Sequence, residues 1–166
     1  MNNHCCLKCH NKFKKRINND IKLFDNYNNL ILDKIQEKNV DKIYFLFIYL
    51  KINKIKYLFK LKYDYPLSPP KILIKIDNLY VDYYQHIFKL YTFYNNKINI
   101  DDVACPCCFN LLCNYNLTYK LINFVDEILN YNDLIIRLNN KYIGLLLLNK
   151  KNNLNDNINN YIIEYL

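Results

Sequence analysis

Three of the chain's four prolines stand within five positions, in "YDYPLSPPK" (63–71). Each proline fixes φ and lacks an N–H donor, so this stretch can neither continue a helix nor lie inside a sheet. The residue before each is pushed toward extended backbone. The chain must leave one regular element, stay extended and enter another. Apolar runs that suit strands stand on both sides, "IKYLFKLKY" (55–63) and "KILIKI" (71–76). In the first, Tyr57, Phe59, Leu61 and Tyr63 alternate with Leu58, Lys60 and Lys62, the period of two of a half-exposed strand. Two more runs rich in Ile, Tyr and Phe precede them, "LILDKI" (30–35) and "IYFLFIYLKI" (43–52), with the polar links "QEKNVDK" and "NK". Four such runs with short links predict an antiparallel meander.

Helical spacing surrounds the strands. Phe13, Ile17, Ile21 and Phe24 recur at helical spacing, which predicts one amphipathic helix over 11–25 with Lys12, Lys15, Arg16 and Asp20 on its other faces. Behind the strands, 83–94 reads as a short helix. The segment 116–131 reads as a stronger one, with Leu117, Leu121, Phe124, Val125, Ile128 and Leu129 on one face. Further helices are expected over 133–138, 142–148 and 157–166. At 166 residues the chain fits one domain. The expected class is α+β: an N-terminal helix, a four-stranded antiparallel meander, a cysteine loop and C-terminal helices.

The net charge is +8, a balance that suits an anionic partner. Lysine and asparagine are abundant everywhere, as an AT-rich coding sequence would give, and the lysines are spread along the chain. The charge is therefore read as codon bias, and no nucleic-acid partner is expected. The first residues, "MNNHCCLKCHNKFKKR", hold no apolar core, so no secretory signal is expected. The apolar runs 43–50 and 142–148 fall well short of the ~20 residues that cross a bilayer. A cytoplasmic or nuclear setting without a membrane partner follows as the expectation.

The seven cysteines form two groups, Cys5, Cys6 and Cys9 against Cys105, Cys107, Cys108 and Cys113. An odd number in a reducing compartment makes a disulfide framework the weakest reading. Residues 1–10 are expected to be a Cys/His-rich arm ahead of a domain over 11–166.

The order of elements and the run Tyr65-Pro66-Leu67-Ser68-Pro69-Pro70-Lys71 resemble the ubiquitin-conjugating enzyme family. There a Tyr-Pro-(Phe/Leu)-x-Pro-Pro-Lys loop links the third and fourth strands. "CFNLLC" followed by "NYNLTYKLINFVDEI" is similar to the family's catalytic segment and the long helix after it. The resemblance spans about 13–131. It implies a cysteine that accepts ubiquitin, or a ubiquitin-like protein, as a thioester from an activating enzyme and passes it to lysine with the help of a ligase. No cofactor is required for that transfer. If Asn110, Leu111 and Leu112 stand for the family's Asp-Ile-Leu, the nucleophile is Cys108; counting back from Tyr115, which replaces a tryptophan, gives Cys107. The basic turn Lys12–Arg16 falls where the family docks its activating enzyme.

Three departures stand out. The His-Pro-Asn that supplies the family's oxyanion donor is missing, with Asn99, Asn110 and Asn114 as candidate substitutes. Tyr115-Asn116-Leu117 replaces Trp-Ser-Pro. Roughly 15 residues around 83–94 are inserted before the cysteine loop.

Metal is the rival chemistry. Cys6-x-x-Cys9 and Cys105-x-x-Cys108 are two C-x-x-C hooks, and a tetrahedral zinc takes four such ligands. Cys6, Cys9 and Cys105 would then hold a structural zinc in an inactive binding module of the same fold. Cys108 is claimed by both readings. A redox role for "CPCC" would need a βαβ setting that the pattern does not show.

Overall fold

The structure, a computed structural model, describes residues 7–40, 43–98 and 110–151, leaving aside the side chains of 7–10 and 149–151. Helix α1 spans Leu7–Lys22 and tightens into a 3₁₀ turn over Leu23–Asn26. Five strands follow: β1 Leu30–Val40, β2 Ile43–Ile52, β3 Ile55–Lys62, β4 Lys71–Ile76 and β5 Leu79–Asp82. Helix α2 covers Tyr83–Ile98 and α3 covers Leu121–Lys151. The strands form one antiparallel sheet in chain order. The fold is thus α+β with an N-terminal helix and helices after the sheet.

The hairpins explain the order. Asn53 and Lys54 close β2 onto β3 with φ of 50° and 71°, the left-handed pair that a two-residue turn between twisted strands needs. Asp77, with φ of 51°, lies in the turn that folds β5 back on β4. Between β3 and β4 the proline loop replaces a hairpin, with a cis peptide bond at Tyr65–Pro66. Ser68 Oγ donates to Asp64 Oδ2 at 2.8 Å and closes this loop on itself.

One face of the sheet is the core. Leu46, Ile48, Leu50 and Ile52 of β2 lie opposite Leu61, Phe59, Tyr57 and Ile55 of β3. Phe13 and Ile17 of α1, Tyr83 and Ile87 of α2, and Leu121, Phe124, Val125 and Ile128 of α3 cover that face. All three helices lie on one side. Each large side chain so buried contributes about 1.5–3 kcal/mol relative to exposure. Tyr57 is fully buried, and its hydroxyl accepts a hydrogen bond from Asn132 Nδ2 at 3.0 Å.

Several expectations need correction. The sheet has five strands, not four, because 79–82 pairs with β4. Strand β1 runs through the predicted polar turn to Val40, with a register shift at Asp33. Helix α1 begins four residues earlier than the pattern suggests and is α-helical only to Lys22. The helices expected over 133–138 and 142–148 are not separate: α3 is one helix of 31 residues that begins at Leu121, not at 116. Its length is matched by the insertion. Tyr91, Tyr94 and Ile98 of α2 bury themselves against Leu134, Leu138 and Tyr142 of α3, forming a second apolar cluster beyond the sheet. The helix expected over 157–166 lies outside the described residues. No helix among the described residues is long and apolar enough to cross a membrane.

Candidate functional site

The two stretches that carry the family resemblance meet in space. Tyr115, five residues after Asn110 at the exit of the cysteine loop, donates its hydroxyl to the Pro66 carbonyl at 2.6 Å. Tyr65, one residue before that proline, donates to Asp20 Oδ2 of α1 at 2.8 Å, with the Tyr119 carbonyl 3.3 Å from the same hydroxyl. Asp20 Oδ2 also accepts the Leu121 N–H, the first of α3, at 3.3 Å. A carboxylate beside the first N–H of a helix satisfies an orphan donor and faces the positive end of the dipole. Arg16 closes the ring by donating to the Leu117 and Tyr119 carbonyls, both at 3.2 Å, with its guanidinium 5.4 Å from the Tyr65 ring centre. Burial, with Asp20 beside it, pushes the Tyr65 hydroxyl well above the usual tyrosine range, so it stays a donor.

Asp20 is a correction to the sequence reading. Expected on an outer face of α1, it is only 3% exposed. A signal was present: Asp20 stands three residues after Ile17 and four before Phe24, in the apolar stripe itself.

A second anchor holds the exit of the cysteine loop. Glu127 of α3 accepts the Leu111 N–H at 2.6 Å and the Tyr84 hydroxyl of α2. Leu111 and Leu112 pack against the core between these bonds. Asn110 is buried, and its Oδ1 accepts the Cys113 N–H at 2.8 Å, which bends the chain into a turn. Of the candidate oxyanion donors, Asn110 thus uses its carbonyl oxygen to hold a turn, Asn114 is exposed, and Asn99 lies outside the described residues.

The expected nucleophiles Cys108 and Cys107 and the expected ligand Cys105 lie outside the described residues, as does Cys6. Cys9 falls within the backbone of α1. Cys113 is described: it is exposed and in no disulfide. Nearby, burial and then the Glu127 carboxylate push the Tyr131 hydroxyl up to about 12. Among the described residues no group of three His, Cys, Asp or Glu is placed to hold a metal ion; of the two C-x-x-C hooks, Cys6, Cys105 and Cys108 lie outside those residues and Cys9 is described in its backbone alone. Among the described residues, the structure brings together the proline loop, the segment after Asn110, α1 and the start of α3.

Burial raises the Glu127 carboxyl above 4.5, against the two donors that favour its charge. The sign follows. A raised folded value means that the folded state holds the proton more tightly, so the contribution of Glu127 is fully present below about 4.5 and is lost as pH rises through the folded value. Glu127→Gln keeps an acceptor without the charge. Urea midpoints are expected to show wild type losing stability relative to this variant as pH rises from acid to neutral. Glu127→Ala orphans both donors and is expected to cost about 1–3 kcal/mol.

Adjoining this junction, and sharing Arg16 and Asp20 with it, an open cleft is lined by Lys12, Lys15 and Lys22 of α1 with Thr118 and Lys120. No protein-family model, curated protein or solved structure matches this chain.

Proposed function

We propose that the chain is a divergent ubiquitin-conjugating enzyme that carries ubiquitin, or a ubiquitin-like protein, on Cys108, with Cys107 as the alternative thiol. The carrying observation is the hydrogen-bonded junction of the proline loop with the exit of the cysteine loop. Tyr115 reaches Pro66, and Tyr65 reaches Asp20 beside the first N–H of α3. Two distant motifs that the family resemblance pairs are bonded to one another on the rim of the sheet.

The chemistry needs an uncommitted thiolate. It attacks the carbonyl of the thioester held by the activating enzyme, whose own thiolate leaves; that enzyme has already consumed ATP to form the bond. A substrate lysine amine then attacks the new thioester. An amide forms, the C–S bond breaks, and the amine's proton passes to solvent or a nearby base. Thiolates suit both steps as strong nucleophiles and ready leaving groups. Leu111 and Leu112 are held by the core and by Glu127, and Tyr115 by Pro66, so the anchors of both counts are fixed; Cys108 is preferred because the Asn110-Leu111-Leu112 match lies next to the thiol. The basic cleft along α1 offers an acidic surface of the activating enzyme its counter-charge. Without a His-Pro-Asn donor the aminolysis step lacks a contribution of ~3 kcal/mol, so charging is expected to be faster than discharge.

Incubation with activating enzyme, ubiquitin and ATP is expected to give a reductant-sensitive adduct that is lost in Cys108→Ala and kept in Cys107→Ala. The opposite pattern moves the thioester to Cys107. No adduct from folded protein overturns the transferase reading. Metal analysis with and without residues 1–10 then decides whether Cys6, Cys9 and Cys105 hold zinc in an inactive binding module.

A further inference from the structure

The face of the sheet turned away from the helices carries chemistry that thioester transfer does not use. Alternation sends Phe45, Phe47 and Tyr49 of β2 to this outer face, opposite to Leu46, Ile48 and Leu50. The ladders then place cations beside each ring. Phe45 lies between Lys38 of β1 and Lys62 of β3; Phe47 lies beside Lys60; Tyr49 lies beside Lys34. The contacts are direct. The Lys60 ammonium is 4.2 Å from the Phe45 ring centre and 5.7 Å from that of Phe47, and Lys34 is 4.6 Å from that of Tyr49. The row continues across the sheet. Tyr80 of β5, 37% exposed, meets Tyr49 edge-on at 6.4 Å, and Lys75 stands opposite Tyr80 in the ladder.

Negative charge is scarce here. The strands bring two carboxylates to this face, Asp33, paired with Lys51 at 2.9 Å, and Asp82, 3.9 Å from Lys71. Glu37 faces the other way and pairs with Lys14 of α1. The lysines that look scattered along the sequence are therefore gathered by strand register. Among the described residues, no helix lies over them.

We propose that this outer face binds single-stranded nucleic acid, with phosphates on Lys34, Lys38, Lys60 and Lys62 and bases stacked on Phe47, Tyr49 and Tyr80. Phe45 is buried under the Lys60 side chain, but Phe47, Tyr49 and Tyr80 stay part-exposed between point cations, which matches a flexible polyanion whose bases can splay. The lysine–ring contacts are weak at an exposed site, so the ammonium groups can turn to phosphates as bases take their place. Lysine without arginine contributes charge but no forked recognition of base edges, which makes the binding indifferent to sequence. The proposal does not rest on the thioester reading.

The test is fluorescence anisotropy of the full chain with a labelled oligouridylate of about a dozen nucleotides. Four phosphate contacts predict that log affinity falls against log salt with a slope of about −3. Lys38→Glu with Lys60→Glu is expected to weaken binding at least ~10-fold and to flatten that slope by about 1.4. Tyr80→Ser, on an exposed edge strand, is expected to weaken it about 5- to 100-fold through lost stacking. The same charge change on the helical side, Lys97→Glu with Lys141→Glu, should leave affinity within about two-fold at physiological salt, where fields die within ~8 Å. Circular dichroism confirms that each variant is folded. Absence of binding at low salt overturns the proposal. So does equal loss from the two charge-reversed pairs, or a duplex bound as tightly as the single strand. Capture of anionic phospholipid vesicles in place of the oligonucleotide overturns it as well.

Discussion

Asp20→Ala is expected to lower the unfolding free energy by about 3 kcal/mol, far more than an ordinary helix substitution. The carboxylate is 3% exposed and takes two donors, the Tyr65 hydroxyl and the Leu121 N–H. Hydrogen bonds to a charged group contribute roughly 1.5–3 kcal/mol each, and alanine leaves both donors buried without a partner. Asp20→Asn keeps an oxygen for one donor but gives up the charge at the start of α3, so about half the loss is expected. The measurement is the urea midpoint at unchanged slope. A combination of Asp20→Asn with Tyr65→Phe tests whether the two residues act as a unit. If they do, the double variant loses less than the sum of the single losses. Full additivity would mean that the proline loop is held in place by something other than this bond. The charging assay adds a functional readout. Loosening Tyr65 frees the proline loop from α1, so the variant is expected to charge more slowly while remaining folded.

The sheet was legible wherever burial imposes a pattern. Strands β2, β3 and β4 alternate because one face meets three helices, and the proline loop between β3 and β4 declares itself by missing donors. Legibility fails at the edges. Beyond Ile35, β1 reads as a polar turn because it stays largely exposed, meeting α1 through the Glu37–Lys14 ion pair and not through apolar packing; Ile35 itself is exposed although it faces inward. β5 is four residues long, and Leu79, Tyr80 and Val81 are all exposed, so no periodicity can show. The continuity of α3 was hidden for another reason. "NYND" (130–133) looks like a break because Asn and Asp are poor helix formers, yet each costs only some tenths of a kcal/mol against alanine. Asn132 recovers this through its bond to the buried Tyr57 hydroxyl. At the junction, Tyr65, Pro66 and Tyr115 were marked as motif positions, whereas Glu127 reads as a solvent residue until α2 and the turn after Asn110 are brought over it. The outer-face lysines follow the same logic, since their clustering depends on register between strands.

Phe124→Ala is expected to lower stability by about 3–5 kcal/mol. Phe124 is fully buried where α3 crosses the sheet, in the same cluster as Ile17 of α1 and Phe59 of β3. Truncation removes a ring and leaves a cavity that the close-packed core fills only in part. It also reaches the site. The Tyr115 ring lies 6.2 Å from that of Phe124, tilted by 32°, and Tyr115 is the residue that bonds Pro66. Loss of Phe124 therefore loosens the exit of the cysteine loop along with the core. Leu138→Ala separates the two apolar clusters. It is nearly as buried, at 5% exposure, but belongs to the α2–α3 cluster beyond the sheet. Its expected cost is about 2–3 kcal/mol. Hydrogen exchange distinguishes the two losses, because local opening reports the unit that a side chain supports. Phe124→Ala should speed exchange throughout β2, β3 and α3, whereas Leu138→Ala should speed it in α2 and the second half of α3 and spare the sheet. If Leu138→Ala also released the strands, the inserted helix would be part of the main cooperative core. The bond from Tyr115 to Pro66 would then depend on the insertion as much as on the sheet.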